Sequence, residues 1–251
     1  MNSGYISRNR ILEKLDGYLG KNDYGAAEKH LLYWLSEAIG ASDHSTEILI
    51  RNELMGLYRK LGRKDDALSE ANTALSRIEE LKIEKQLGSA TTYLNAATVY
   101  KAFSMATKAL PLFYIAREIY ESELGANDAR LGGLYNNMGL ALVDLGRFEE
   151  AEALYMKAIE IMSVAYGGDL EVAITYLNLA SAAEAEVGLI DGEEYITKYL
   201  ALAEKILDDH KSRDGYYAFV CEKCASVFGY YGHFLYEEEL RERAKKIYEG
   251  S

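Results

Sequence analysis

The chain has 251 residues, 49% of them hydrophobic, and carries 40 Asp/Glu against 28 Lys/Arg for a net charge of −12. The apolar content excludes wholesale disorder. The acidic balance, with no Lys/Arg run longer than a pair such as Lys245-Lys246, argues against DNA or RNA as the main ligand.

At the N-terminus, Met1–Arg10 carries arginines, but Ile11-Leu12 runs at once into Glu13-Lys14, which does not fit a secretory signal. No run of 18 apolar residues follows anywhere, so no membrane-spanning helix is expected. Two cysteines and no Asn-x-Ser/Thr acceptor fit a reducing, cytoplasmic setting. The single proline, against about twelve at average usage, points to helices joined by short turns.

Taken in chain order, one phrase recurs. It begins loosely as Asn22-Asp-Tyr-Gly-Ala-Ala27 and sharpens to Leu61-Gly-Arg-Lys-Asp-Asp-Ala67. It returns as Phe103-Ser-Met-Ala-Thr-Lys-Ala109 and as Leu145-Gly-Arg-Phe-Glu-Glu-Ala151. The closing alanines stand 40, 42 and 42 residues apart. Val187-Gly-Leu-Ile-Asp-Gly-Glu193 and Tyr231-Gly-His-Phe-Leu-Tyr-Glu237 keep the phase without the alanine. The phrase sits between two stretches of helical periodicity, such as Leu94–Tyr100 and Asn136–Leu142 before it and Glu150–Ile161 after it. Each unit therefore reads as two helices, with a glycine ending the first. The pairs Ala67/Ala74, Ala109/Ala116 and Ala151/Ala158 put small residues seven apart on the second helix, where they permit close packing. Pro111 falls near the start of the third unit's second helix, where a missing N–H costs little. Leu124-Gly-Ala-Asn-Asp128 and Tyr166-Gly-Gly-Asp169 close units, with glycine as stop and aspartate as cap. The very polar last helix, Glu237–Lys246, suits a cap with one face in water.

One helix pair cannot bury its own apolar face, so stacked copies are expected. Six units are expected, roughly 5–40, 45–82, 88–124, 129–166, 170–208 and 214–249, in a single domain over 1–251. The fold class expected is an all-α solenoid.

The Gly139, Leu142, Gly146, Ala151, Tyr155 and Ala158 series resembles the signature of the tetratricopeptide repeat family. The unit of about 42 residues, with Leu134-Tyr-Asn-Asn-Met-Gly and Tyr166-Gly-Gly-Asp-Leu-Glu-Val-Ala173, resembles the long subtype of kinesin light chains. The likeness is closest over 88–207 and loosest at the ends, where Trp34 and Glu237 occupy alanine positions. It implies a right-handed superhelix whose first helices line a concave groove. It also implies that asparagines in that groove grip the backbone of an extended peptide.

Helical spacing puts Asn136, Leu140 and Val143 on one stripe. By phase, Asn52, Gly56 and Arg59, then Leu94, Thr98 and Lys101, then Leu177, Ser181 and Glu184 share it. A second series is Asn95, Asn137 and Asn178. Amides both donate and accept, so these residues suit a peptide backbone, and Arg59 and Lys101 suit an acidic group. The competing reading is that a repeated asparagine bridges neighbouring helices.

Other signals look chemical. The pairs Asp65-Asp66, Glu149-Glu150, Glu193-Glu194 and Glu237-Glu238 share one repeat phase, where they favour a helix N-terminus, so no catalytic residue is assigned to them. Cys221-Glu-Lys-Cys224 lacks a second pair, and buried apolar behaviour is expected rather than zinc. Tyr58 and Tyr100 read as packing positions. Tyr216, Tyr217, Tyr230, Tyr231 and Tyr236 form a C-terminal cluster suited to a partner or a second copy of the chain. The function expected is a non-enzymatic, cofactor-free, metal-free scaffold that binds a peptide or protein segment. The alternatives are a peptide-sensing regulatory module of the bacterial type and a self-assembling structural subunit.

Overall fold

The computed structural model describes residues 7–250, so Tyr5 and Ile6 of the first expected unit lie outside the described residues. Within that range there are twelve α-helices and no strand. The chain divides into two compact units, Met1–Glu123 and Leu124–Ser251.

The first unit holds α1 (Arg8–Leu19), α2 (Tyr24–Gly40), α3 (His44–Lys60), α4 (Lys64–Leu81), α5 (Leu87–Ala102) and α6 (Ala106–Glu123). Each helix packs on the next, and α3 also packs on α5. The second holds α7 (Ala129–Asp144), α8 (Phe148–Val164), α9 (Asp169–Asp191), α10 (Glu193–Asp209), α11 (Gly215–Tyr230) and α12 (Phe234–Tyr248). Here α9 packs on both α7 and α11. This is the helix-turn-helix solenoid pattern: a helix meets its hairpin partner and the first helix of a neighbouring hairpin. Among the described residues, no helix is long and apolar enough to cross a membrane.

The turns repeat one geometry. After α3, Gly62 takes φ 68°, and the Arg63 amide donates back to the Tyr58 carbonyl at 2.9 Å. Gly146 with Arg147→Leu142 and Gly232 with His233→Phe228 do the same. The left-handed residue turns the chain while satisfying carbonyls that the helix end leaves open. Where no glycine is available, Asn22, Ser42 and Ser104 accept positive φ and make the same closure.

The hairpins close through small residues. Ala67, Ala74, Ala109, Ala116, Ala151 and Ala158 are all fully buried. In the α7–α8 hairpin the approach is closer still. A Cβ on Gly139 would lie 2.5 Å from the Tyr155 ring, and that ring is fully buried. The Tyr155 hydroxyl is buried with no hydrogen-bond partner, and burial together with Asp144 pushes its pKa up. In the polar α12, only Leu240 and Ala244 are buried.

Three local expectations need correcting. Pro111 is the sixth residue of α6, beyond the first turn, so it removes a regular i→i−4 bond. The loss falls at exposed Thr107, where water can serve the carbonyl. Asp128 caps α7 by accepting from the Arg130 amide, but Asp169 begins α9 without capping it and instead meets His210 at 2.5 Å. Gly167 takes φ 69°, whereas Gly125 is not in the left-handed region. The fifth turn is also irregular. Gly188, at φ 85° and ψ 170°, breaks α9 in a conformation essentially closed to side-chain-bearing residues.

Gly139→Ala is expected to lower stability by about 1–3 kcal/mol, because the ring it meets cannot retreat. Tyr155→Phe removes an unpaired buried hydroxyl, and is expected to leave stability unchanged or raise it by about 1 kcal/mol. Urea midpoints of the two variants check both.

Candidate functional site

In the first unit, α3 and α5 lie side by side and bring five of the sequence-derived residues to one cleft. Its volume is about 270 Å³, and Asn52, Glu53, Gly56 and Arg59 of α3 face Asn95 and Thr98 of α5 across it. Asn52, Gly56 and Arg59 recur at helical spacing, which sets them along one face. The bare Gly56 leaves the middle open, with nothing within 4 Å of its Cβ position.

Much of the amide chemistry is already used. Asn95 Nδ2 donates to Asn52 Oδ1 at 3.2 Å, and Asn52 Nδ2 donates to Thr92 Oγ1 at 3.0 Å. Thr98 Oγ1 donates to its own helix at Leu94 O. Arg59 differs. Its side chain is accessible at the mouth, surroundings poor in water lower its pKa, and no ion pair holds it among the described residues. Glu53, on α3 with Arg59, also lines the cleft, its pKa raised by burial and then by Asp16. Lys101 is half-buried and lies outside the cleft.

Sequence reasoning missed a second feature. A cavity of about 520 Å³ shares Asn52 with the cleft and has an apolar wall of Ile48, Leu49, Leu81 and Ile83. Arg8 stands at its edge, donating to Ser45 Oγ at 2.9 Å. Leu81 ends α4 and Ile83 lies in the α4–α5 connection, so no periodicity within one helix announces them. Behind this face, buried Arg51 ties Glu47 at 3.1 Å to Glu70 at 2.6 Å, fixing α3 on α4.

The second unit repeats the asparagine bridge. Buried Asn136 accepts from Asn178 Nδ2 at 2.9 Å and from Thr175 Oγ1 at 3.2 Å, joining α7 to α9. Asn137 Nδ2 donates within its own helix to Gly133 O at 2.8 Å. Leu140 and Val143 are half-buried, and Ser181 is exposed with its hydroxyl on Leu177 O. Leu177 is buried in the core, so Asn178, 42 residues after Asn136, holds the inner position expected of Leu177. Glu184 accepts from the hydroxyls of Tyr230 and Tyr231.

The C-terminal tyrosines do not form one patch. Tyr217 is fully buried, Tyr236 packs edge-on to Phe228, and only Tyr216 and Tyr230 are well exposed. Cys221 and Cys224 are buried in mid-α11, and burial pushes Cys224 up to about 12. All four acidic pairs reach the first turns or starts of α4, α8, α10 and α12.

Asn136→Ala removes the acceptor shared by Asn178 and Thr175, and is expected to cost about 1–3 kcal/mol. Asn137→Ala is expected to cost about 0.5 kcal/mol or less. Thermal unfolding of the pair separates the two roles.

Residues 130–188 match the tetratricopeptide repeat family. Among solved structures, BtubC (BKLC) from P. vanneervenii is similar at 21% identity and a TM-score of 0.67, over 81% of this chain and 82% of that one. The kinesin light chain nearly identical TPR-like repeats of Podosopora anserina are similar at 16% identity and a TM-score of 0.53, over 78% and 92%. A single-substitution variant of those repeats gives 16% identity and a TM-score of 0.55, over 81% and 95%. No curated protein matches the chain in sequence. Residues 130–188 thus match the tetratricopeptide repeat family in sequence, and about four-fifths of the chain shares the fold of these repeat structures.

Proposed function

We propose that the chain is an interaction scaffold that holds a peptide or protein segment against the α3–α5 face of its first unit. Tetratricopeptide repeat proteins generally mediate protein–protein contacts, and their fold is typically a non-enzymatic scaffold. The observation that carries the finer reading is the convergence of Asn52, Arg59, Asn95 and Thr98 on one cleft.

The chemistry of that cleft defines the ligand. An unpaired guanidinium in partly desolvated surroundings attracts a carboxylate, and an Arg–carboxylate contact is stronger there than in bulk water. Asn52 and Asn95 keep acceptor and donor capacity beyond the bonds they already make, enough for one or two peptide groups. The apolar cavity that shares Asn52 takes a hydrophobic side chain. The ligand is thus an extended segment with an acidic group near one end and an apolar residue a few positions away.

The test is fluorescence anisotropy with a library of such peptides and the full chain. Arg59→Glu is expected to weaken binding at least about tenfold, since it turns attraction into repulsion. Leu49→Glu is expected to weaken it comparably by placing a charge in the apolar wall. Arg59 is exposed and Leu49 half-buried, so neither substitution strikes the closed core. Binding that survives both substitutions would reject the assignment.

A further inference from the structure

The negative charge of the chain is unevenly spread. From Leu124 onward there are 12 Lys/Arg and 23 Asp/Glu, against 16 and 17 before it, so net charges of −11 and −1 make up the −12. Within this acidic second unit, a cavity of about 310 Å³ opens where the start of α8, the end of α9 and the start of α10 meet. Leu179, Ala182 and Tyr199 are buried at its base. Phe148 and the 55%-exposed Tyr195 form its aromatic sides. Glu152 and Glu186 stand at its rim, both exposed and neither held in an ion pair among the described residues.

Aromatic faces beside unpaired carboxylates attract one kind of group. The rings offer their negative π faces to a cation, and the carboxylates supply acceptors. The chain's own nearby cations are already engaged, Lys198 on a ring at the cavity base and Arg147 in an adjoining pocket that Phe148 and Glu186 also line. Arg147 is held by Glu150 at 2.7 Å, and Lys198 lies over Tyr199, 5.5 Å from the ring centre. Neither Phe148 nor Tyr195 is stacked on another ring among the described residues. Burial first and then the Glu152 charge raise the Tyr199 pKa, which agrees with a negative field at the base. The cavity is at the lower end of ligand-pocket sizes, suited to one side chain rather than a large molecule. Its edge at Val187 exists because Gly188 breaks α9 at the next residue.

We infer that this cavity is a recognition site for a single arginine side chain of a partner protein, with the guanidinium against Phe148 and Tyr195 and its N–H groups on Glu152 and Glu186. Arginine suits it better than lysine, because a planar fork can lie on a ring and still donate to two carboxylates. The site is separate from the α3–α5 cleft and takes the opposite charge, so either assignment can fail alone.

The experiment titrates the full chain with acetyl-Gly-Arg-Gly-amide and follows the tyrosine ring signals by NMR. The citrulline analogue, neutral and of similar shape, is expected to bind at least about tenfold more weakly. E152Q with E186Q is expected to weaken the arginine peptide about tenfold. Tyr195→Ala, which leaves the charge unchanged, is expected to weaken it about threefold. E160Q with E238Q removes the same charge from exposed sites away from the cavity, and is expected to change binding less than twofold. No measurable binding to the parent chain would overturn the inference. So would unchanged binding in the E152Q/E186Q variant, or an equal loss in the E160Q/E238Q control, which would mean that net charge alone attracts the peptide.

Discussion

Two helices can form a hairpin as tight as these only where one of the two facing residues has almost no side chain. That constraint underlies the whole chain. Ala67 and Ala74, Ala109 and Ala116, and Ala151 and Ala158 meet it from the second helix, and Gly139 meets it from the first. Where the first helix offers only a glycine, a large ring on the second can fill the space between them: Tyr155 is fully buried against Gly139, and Phe113, one repeat earlier, is fully buried too. The apolar face that a hairpin cannot cover by itself is left for the next pair, so each hairpin needs a neighbour.

Close packing leaves little room for polar groups that are not paired. The first helices meet this with the same small network in each unit. Asn52, Thr92 and Asn95 join α3 to α5, and Asn136, Thr175 and Asn178 join α7 to α9. An amide at this position is useful because it both donates and accepts, so it can link two partners on the next helix. The network fixes the register of one first helix on another, which an apolar contact of the same area would leave freer to slide. The exception is the Tyr155 hydroxyl, left without a partner beside Gly139. The ring's volume fills that space, and its polar tip has no role in the packing.

The fold was legible in the sequence because its rules recur. A left-handed turn residue after the first helix, small residues seven apart and acidic first turns are local requirements, and the α3–α4 and α7–α8 hairpins state all three afresh. The departures are where the requirements stop being local. Gly188 breaks α9 in a conformation that a glycine permits but does not announce, since Gly62 and Gly146 at matching points take the ordinary left-handed turn. The one-residue error that put Leu177 on the inner face came from stepping 41 residues from Asn136, whereas the 42-residue step of the preceding units lands on Asn178. The apolar cavity beside Asn52 was invisible for a different reason. Its wall combines α3 residues with Leu81 and Ile83 around a turn, and no single-helix pattern contains that pairing.

The same division explains where recognition can reside. A position that repeats in every hairpin serves the hairpin, so its polar atoms are mostly spent inside the molecule, as those of Asn136 are. The positions left for a partner are those that change from one repeat to the next. Stepping by 42 residues, the place of Arg59 is taken by Lys101 and then by Val143. The place of Phe148 is taken by Ala106 and Lys64, and that of Tyr195 by Ala153 and Pro111. None of these substitutions disturbs the small-residue contacts, because each lies at a turn, on an accessible face or at a helix end. A solenoid can therefore alter its binding chemistry one repeat at a time while its packing stays fixed. In this chain that freedom has produced an unpaired cation at the α3–α5 cleft and an aromatic, acidic cavity between α8, α9 and α10.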